Sequence, residues 1–206
     1  MRTAAFLLVL LAAPLAPEAH AQGAYGVRVG VNESTIRGFE LPEGSETEPR
    51  LGLTAGIWGR HAFSRALGVM GELGYSQKGT RVTNPEDVDV TYALYYAEAS
   101  ALGRLALLSD PGLEIGAFAG PTFSVALDES VRIGDNPLPQ SILNASDLGV
   151  AVGADVGAGP FGVDLRYTFG QWDLNRGGAD LPDPEVDPED WMNGAFTAAV
   201  RYRFGG

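Results

Sequence analysis

The sequence predicts an all-β protein, an eight-stranded antiparallel up-and-down transmembrane β-barrel that forms one domain over residues 22–206. Three observations predict this fold. Apolar residues alternate with small or polar ones in eight stretches, as they do in strands. Every charge within those stretches lies on the non-apolar parity, and the links between the stretches alternate in length. Such strands have one face toward lipid and the other toward an enclosed lumen.

The first 21 residues have the pattern of a signal peptide. Arg2 precedes an apolar run from Ala4 to Leu15, and Ala19-His20-Ala21 fits a signal-peptidase site, so we expect the mature chain to begin at Gln22. The apolar run is shorter than the roughly 20 residues of a spanning helix. Because no later stretch is apolar over that length, a membrane crossing by the mature chain must use strands. The absence of cysteine is compatible with export.

The predicted strands lie near residues 24–31, 51–60, 67–79, 92–107, 113–127, 147–157, 161–169 and 192–204. Their thirteen charged residues all share one parity: Arg28, Arg60, Glu72, Lys78, Glu98, Arg104, Glu114, Asp147, Asp155, Asp164, Arg166, Arg201 and Arg203. An arginine or lysine facing mid-membrane lipid costs about 2–4 kcal/mol, so this segregation favours a lipid-facing exterior. A soluble sandwich or lipocalin shows similar alternation, and parity alone leaves that alternative open.

Glycine separates these alternatives. Most of the strand glycines share the charged parity. On a solvated outer face so much glycine only weakens strands, whereas inside a narrow barrel it leaves room for long charged side chains. The strand charges also nearly cancel, with seven positive and six negative, as enclosed charges should.

The links support the same fold. Residues 32–50, 80–91, 128–146 and 170–191 form long links, and residues 61–66, 108–112 and 158–160 form short ones. Membrane barrels have long extracellular loops and short periplasmic turns, and an even strand number leaves both termini periplasmic. Aromatic residues near the predicted strand ends fit two interfacial girdles.

Five residues depart from the pattern. Pro121 falls inside the fifth stretch, so we expect a bulge or the strand's loop-side end there. Trp58, Met70, Leu102 and Phe118 lie on the inward parity, where they fill gaps between charges unless the register shifts locally.

The candidate site is a charge network in the lumen, formed by Arg28, Glu72, Glu98, Arg104, Glu114, Asp155, Asp164, Arg166, Arg201 and Arg203. These residues either line a pore or hold the lumen shut by pairing. Eight strands favour pairing, because open aqueous channels come with about 16 strands.

The net charge of −12 is a property of the predicted loops, which carry 18 acids against five arginines. It argues against a nucleic-acid partner. The acidic segment at residues 180–190 suggests a divalent-cation site, but it lacks EF-hand spacing, and a solvated acidic loop is the favoured interpretation. No metal or cofactor is therefore expected.

An enzyme is not expected either. The mature chain contains one histidine, His61, in a predicted periplasmic turn. Barrel hydrolases place a histidine base near the outer surface, and the sequence offers no nucleophile beside this one.

Several segments resemble the PorT-like outer-membrane β-barrel family. They are GVRVGVNEST at 26–35, GELGYSQKGTRV at 71–82, YYAEASALGRL at 95–105, GAFAGPTFSVAL at 116–127 and RYRF at 201–204. The resemblance implies an eight-stranded outer-membrane barrel, usually without an assigned activity. Ser100 departs from the family's usual proline, and Gly205-Gly206 extend beyond the terminal aromatic residue.

These observations lead us to expect an exported, multi-pass outer-membrane barrel with a structural or interaction role in the envelope. Its expected partners are outer-membrane lipid, the barrel-assembly machinery during insertion and an envelope protein at the extracellular loops. A narrow channel or small-solute transporter, and a component of a secretion apparatus, remain alternatives.

Overall fold

The computed structural model describes residues 23–37, 45–85, 88–134, 136–138, 146–171 and 192–205. The predicted signal peptide and the acidic segment at residues 180–190 lie outside the described residues. So do Trp172 and Trp191, two of the aromatic residues near the predicted strand ends.

The described residues form nine strands. Their bounds are β1 Gly23–Arg37, β2 Glu46–Ala62, β3 Leu67–Thr83, β4 Asp89–Asp110, β5 Leu113–Ile133, β6 Asn136–Leu138, β7 Ser146–Ala158, β8 Phe161–Gly170 and β9 Met192–Gly205. None of the described residues belongs to a helix long and apolar enough to cross a membrane.

Eight of these strands form a closed antiparallel ring, which confirms the predicted fold class. The order is β1–β2–β3–β4–β5–β7–β8–β9, and β9 pairs again with β1. The three-residue β6 pairs only with β5, as a short extension outside the ring. Closure leaves the ring without an unpaired edge, which a strand protein needs in lipid.

The two faces of the sheet follow the predicted parity. Apolar residues of one parity face outward, as shown by Val29 and Leu53, which are 61% and 58% exposed. All thirteen strand charges face inward; nine are buried and four are half-buried, the latter being Arg60, Glu98, Glu114 and Arg203. The barrel is therefore apolar outside and charged inside.

Two of the short turns contain a glycine in the left-handed region. Gly112 has a φ of 95° in the Asp110–Leu113 turn, and Gly159 has a φ of 59° in the Ala158–Phe161 turn. The Pro111-Gly112 pair supplies the restricted φ and the positive φ that a tight turn requires. Both turns lie at the end of the barrel where β1 begins and β9 ends, which we call the turn end.

Five strands, β1 to β5, run three or more residues beyond a predicted limit. β1 continues to Arg37 instead of residue 31, and β5 continues to Ile133 instead of residue 127. The predicted loops at 32–50, 80–91 and 128–146 are correspondingly too long, and several predicted loop acids lie on strands: Glu33, Glu46, Glu48, Asp89, Asp128 and Glu129. Only the part of a strand that lies in the hydrocarbon, the apolar band, needs apolar outward residues. Beyond that band the alternation of apolar and polar residues stops, although the strand continues to pair with its neighbours.

The expectation for Pro121 was wrong. β5 passes through Pro121 with no change of register, since Ser100 pairs with Thr122 and Gly103 pairs with Ala119. The β4–β5 ladder has no pairs at the two positions between them, which accommodates the missing N–H of the proline. The irregularities of this strand pair lie instead at Tyr95/Tyr96 and at Ala106/Leu108.

Some inward glycines lie so close to the neighbouring strand that a larger residue would not fit. A Cβ at Gly120 would overlap the carbonyl oxygen of Ala101 on β4, whereas a Cβ at the outward Gly59 would meet no atom within 4 Å. We expect Gly120→Ala to lower the free energy of unfolding by about 1–3 kcal/mol. Gly59→Ala should change it by less than about 0.5 kcal/mol.

The measurement is urea unfolding followed by the difference in gel mobility between heated and unheated samples. Equal midpoints for the two variants would contradict the close approach of β4 and β5 at Gly120.

Candidate functional site in the barrel interior

Two acids and three arginines form the central cluster of the lumen. Glu72 on β3 accepts hydrogen bonds from Arg166 at 2.7 and 2.9 Å, from Arg28 at 3.2 Å and from Arg201 at 3.2 Å. Asp164 on β8 accepts from Arg201 at 2.9 Å, from Arg166 at 3.0 Å and from Arg28 at 3.4 Å. Each of the three guanidiniums therefore bonds to both carboxylates.

The central cluster is buried. The side chains of Asp164, Arg166 and Glu72 are 0%, 2% and 5% exposed. Buried charges are tolerated only when they are paired and hydrogen-bonded, and arginine suits this because its planar group donates in two directions. Three arginines against two acids leave one excess positive charge in the central cluster.

A second group of charges lies toward the turn end. Arg104 makes a two-pronged contact with Asp155, in which Nη2 lies 2.5 Å from Oδ1 and Nε lies 2.9 Å from Oδ2. Glu114 accepts from Arg60 at 2.6 Å and from Arg203 at 3.4 Å. Arg201 joins this group to the central cluster, because its Nη1 lies 3.8 Å from Asp155 Oδ2.

The structure brings together nine of the ten predicted network residues, since Arg104 also reaches Glu114 at 3.9 Å. The tenth, Glu98, lies apart and pairs with Lys78, with 2.7 Å between Nζ and Oε2. Arg60 and Lys78 were absent from the predicted network although they share its parity. Their positions in the strands predict that both side chains point inward. Which acids they contact depends on the register between strands, which only the structure shows.

An apolar wedge fills the space beside the charges. Met70, Leu102, Phe118 and Ala151 form a buried cluster, which confirms the inward orientation of the first three. The guanidiniums of Arg166 and Arg201 lie 5.0 and 5.6 Å from the ring centroid of Phe118. Cation–π contacts of this kind stabilise a desolvated arginine and fix the ring between two charged residues.

Trp58 is also inward. Its indole Nε1 donates to the carbonyl oxygen of Val27 at 3.1 Å, and Arg201 lies 5.7 Å from its ring centroid. The four residues that departed from the polar inward pattern therefore fill space beside the inward charges.

Two glycines show how long side chains fit in so narrow a space. A Cβ at Gly116 would lie 2.6 Å from Cζ of Arg104, and a Cβ at Gly153 would lie 2.6 Å from the Phe118 ring. The glycine backbone therefore forms the surface on which these side chains rest. This is the use that the sequence predicted for inward glycine.

The candidate chemical groups show no catalytic or metal-binding arrangement within the described residues. His61 lies at the end of β2 rather than in a turn, and its ring packs edge-on against Phe63 with 5.3 Å between the centroids. No group of three or more potential metal ligands occurs among the residues that the structure describes.

A closed antiparallel barrel with an apolar exterior and an ion-paired interior defines an integral membrane protein of the β-barrel class. The model of the outer membrane protein beta-barrel domain family matches residues 20–174, which are 155 of the 206 residues, and the chain belongs to this family. The protein is thus an outer-membrane β-barrel protein. No curated protein matches the chain in sequence.

Solved structures that resemble this one include two bacterial surface or outer-membrane proteins. Neisserial surface protein A shares 15% identity at a TM-score of 0.52, over 87% of this chain and 97% of that one. The outer membrane protein OprG from Pseudomonas aeruginosa shares 11% identity at a TM-score of 0.51, over 91% of this chain and 98% of that one. These likenesses support the fold.

The central cluster leads to a stability prediction. Glu72→Gln removes one of the two carboxylates that neutralise three buried arginines, so we expect the free energy of unfolding to fall by about 3–5 kcal/mol. The matched control is Glu48→Gln, which breaks an exposed pair with Arg81 at 3.9 Å and should cost less than about 1 kcal/mol.

Urea unfolding in phospholipid vesicles measures both variants. An equal loss in the two would show that the central cluster contributes no more than a surface ion pair.

Proposed function

We propose that this protein is a closed, non-enzymatic scaffold of the outer membrane, with a structural or interaction role in the envelope. The filling of the lumen by the central cluster and the apolar wedge is the observation that supports this most directly. A lumen without continuous water conducts neither ions nor solutes. The surfaces left for function are then the loop end, opposite the turn end, and the lipid-facing exterior.

Cavity sizes support a closed lumen. The cavity beside Arg28, Glu72 and Glu98 has a volume of about 10 Å³, which is about the space of one water molecule. Two larger cavities, of about 200 and 530 Å³, lie at the turn end beside Arg60 and Glu114. The inner wall of the smaller one includes Trp58, Asp155 and Arg201, where the packed interior begins.

The finer assignments belong to the same proposal. Membership of the PorT-like group rests on the motifs of the sequence, above all YSQKG at residues 75–79. Export by a signal peptide over residues 1–21, and insertion by the barrel-assembly machinery, follow from the N-terminal pattern and the barrel class. The acidic loops are the proposed contact site for an envelope partner.

No observation among the described residues favours the alternatives of a channel, a transporter or a secretion component over a closed scaffold. An enzymatic role is not proposed, because His61 has no nucleophile beside it in the described structure and packs on Phe63.

Single-channel recording in planar bilayers tests the proposal. We expect the purified wild-type protein to show no steady conductance above that of the bare bilayer. Removing the apolar wedge by the combined substitutions Met70→Ala, Leu102→Ala and Phe118→Ala is expected to produce steady openings, because water then fills the vacated space. The heat-dependent gel shift verifies that each sample is folded.

A steady wild-type current that changes ion selectivity on Arg104→Glu would overturn the proposal in favour of a narrow channel. Because this test uses the wild-type protein, it gives a result even if the wedge variant fails to fold.

A further inference from the structure

A trough crosses the outer, lipid-facing surface of β2 to β5 and β7. It has a volume of about 600 Å³, within the usual range for ligand sites of about 300–1,000 Å³. We call it the outer trough. Its floor is formed by Gly59, Gly71, Ala99 and Ala101, and its walls by Ile57, Leu73, Pro121, Phe123 and Leu148.

The outer trough exists because its floor has almost no side chains. Gly59 and Gly71 pair across β2 and β3, and a Cβ at either would meet no atom within 4 Å. On β4, the successive outward residues from 97 to 103 are Ala, Ala, Ala and Gly. Elsewhere the outward face carries larger residues such as Val29, Leu53 and Val152. The depression is therefore a local feature of one side of the barrel.

A cationic and aromatic cluster lies above the outer trough, toward the loop end. Tyr95 is the next outward residue on β4 beyond Ala97, and its ring stacks on Tyr75 with 6.5 Å between the centroids. The guanidinium of Arg50 lies 6.0 Å from the Tyr95 centroid and donates to the carbonyl oxygen of Lys78 at 3.1 Å. The Gln77 amide donates to the Tyr75 hydroxyl at 3.1 Å.

Arg50 differs from the inward cations of the strands. The inward arginines and Lys78 each meet a carboxylate, whereas no carboxylate of the described residues lies within 4.0 Å of the Arg50 guanidinium. Tyrosine rings with polar tips are typical of the boundary between lipid and water. Arg50 therefore adds a positive charge to a pair of tyrosine rings of the kind found at that boundary, on the loop side of the outer trough.

We infer that Arg50 and the outer trough bind one lipid that carries a phosphate in its headgroup. Arginine pairs with phosphate through two parallel hydrogen bonds, and Tyr95 and Gln77 flank that position with further polar groups. An acyl chain descending from the phosphate follows the small residues of β4 and contacts the walls of the outer trough along its length. The inference requires an outer-membrane location but not a closed lumen.

Charge distinguishes this ligand from a second copy of the chain. A two-fold dimer formed through the outer trough would place equivalent residues at the same depth, so two unpaired arginines would meet at one level. A phosphorylated lipid neutralises Arg50 instead. Asp128, which pairs with Tyr95 from β5 and is exposed, brings a negative charge to this region and is expected to weaken binding.

Native mass spectrometry of the full chain in detergent, titrated with dioleoyl phosphatidic acid, tests the inference. We expect one lipid to remain bound to the wild-type protein. Arg50→Gln and Ala101→Leu should each weaken binding about tenfold, the first by removing the phosphate partner and the second by filling the floor. Asp128→Asn should strengthen it.

The matched controls are Arg132→Gln, an exposed arginine outside the cluster, and Ala154→Leu, a lipid-facing residue outside the outer trough. Both should bind as the wild type does. Dioleoylglycerol and glycerol 3-phosphate, which lack the phosphate and the chains respectively, should each bind far more weakly than the intact lipid.

Unchanged binding by both Arg50→Gln and Ala101→Leu overturns the inference. So does a wild-type dimer that Ala101→Leu dissociates, since the occupant of the outer trough is then a second copy. The heat-dependent gel shift checks that every variant is folded, and a conducting wild-type protein would refute the closed scaffold without affecting this result.

Discussion

The ion pairs that join Glu72 and Asp164 to three arginines are the interaction on which the rest of this structure depends. The polar residues of a strand that crosses lipid must point away from the membrane, and in a closed ring they can point only into the lumen. The enclosed charges are then removed from water and have to neutralise one another. Arg28, Arg166 and Arg201 reach both acids from β1, β8 and β9, and so cross-link strands around the ring.

Packing follows from the same constraint. Long side chains fit into a narrow lumen only where the neighbouring residue has no side chain. Gly116 beside Arg104 and Gly153 beside Phe118 are examples. Apolar side chains occupy the space between the ion pairs, and Arg166 and Arg201 stack on the rings of Phe118 and Trp58. Charge, glycine and aromatic rings therefore act together to fill the middle of the lumen.

The exterior is less uniform than its apolar composition suggests. Most of the lipid-facing surface is covered by branched and aromatic side chains, whereas the outer trough exposes backbone on β2 to β4. Arg50 lies above it at the loop end of the apolar band. A barrel whose lumen is filled can still recognise a molecule at its surface, and the bilayer supplies candidates at high local concentration.

The sequence by itself determined the closed barrel, the side that faces lipid and the identity of the inward charges. The reason is that every second residue of a membrane-spanning strand faces lipid and must be apolar. It also showed why glycine accompanies those charges. It did not determine where β1 to β5 end, since the constraint disappears outside the apolar band. The tertiary structure alone decided which charges meet, such as Lys78 with Glu98, and how β5 passes through Pro121. Ion-pair partners and the outer trough depend on the register between strands, which parity within a single strand does not encode.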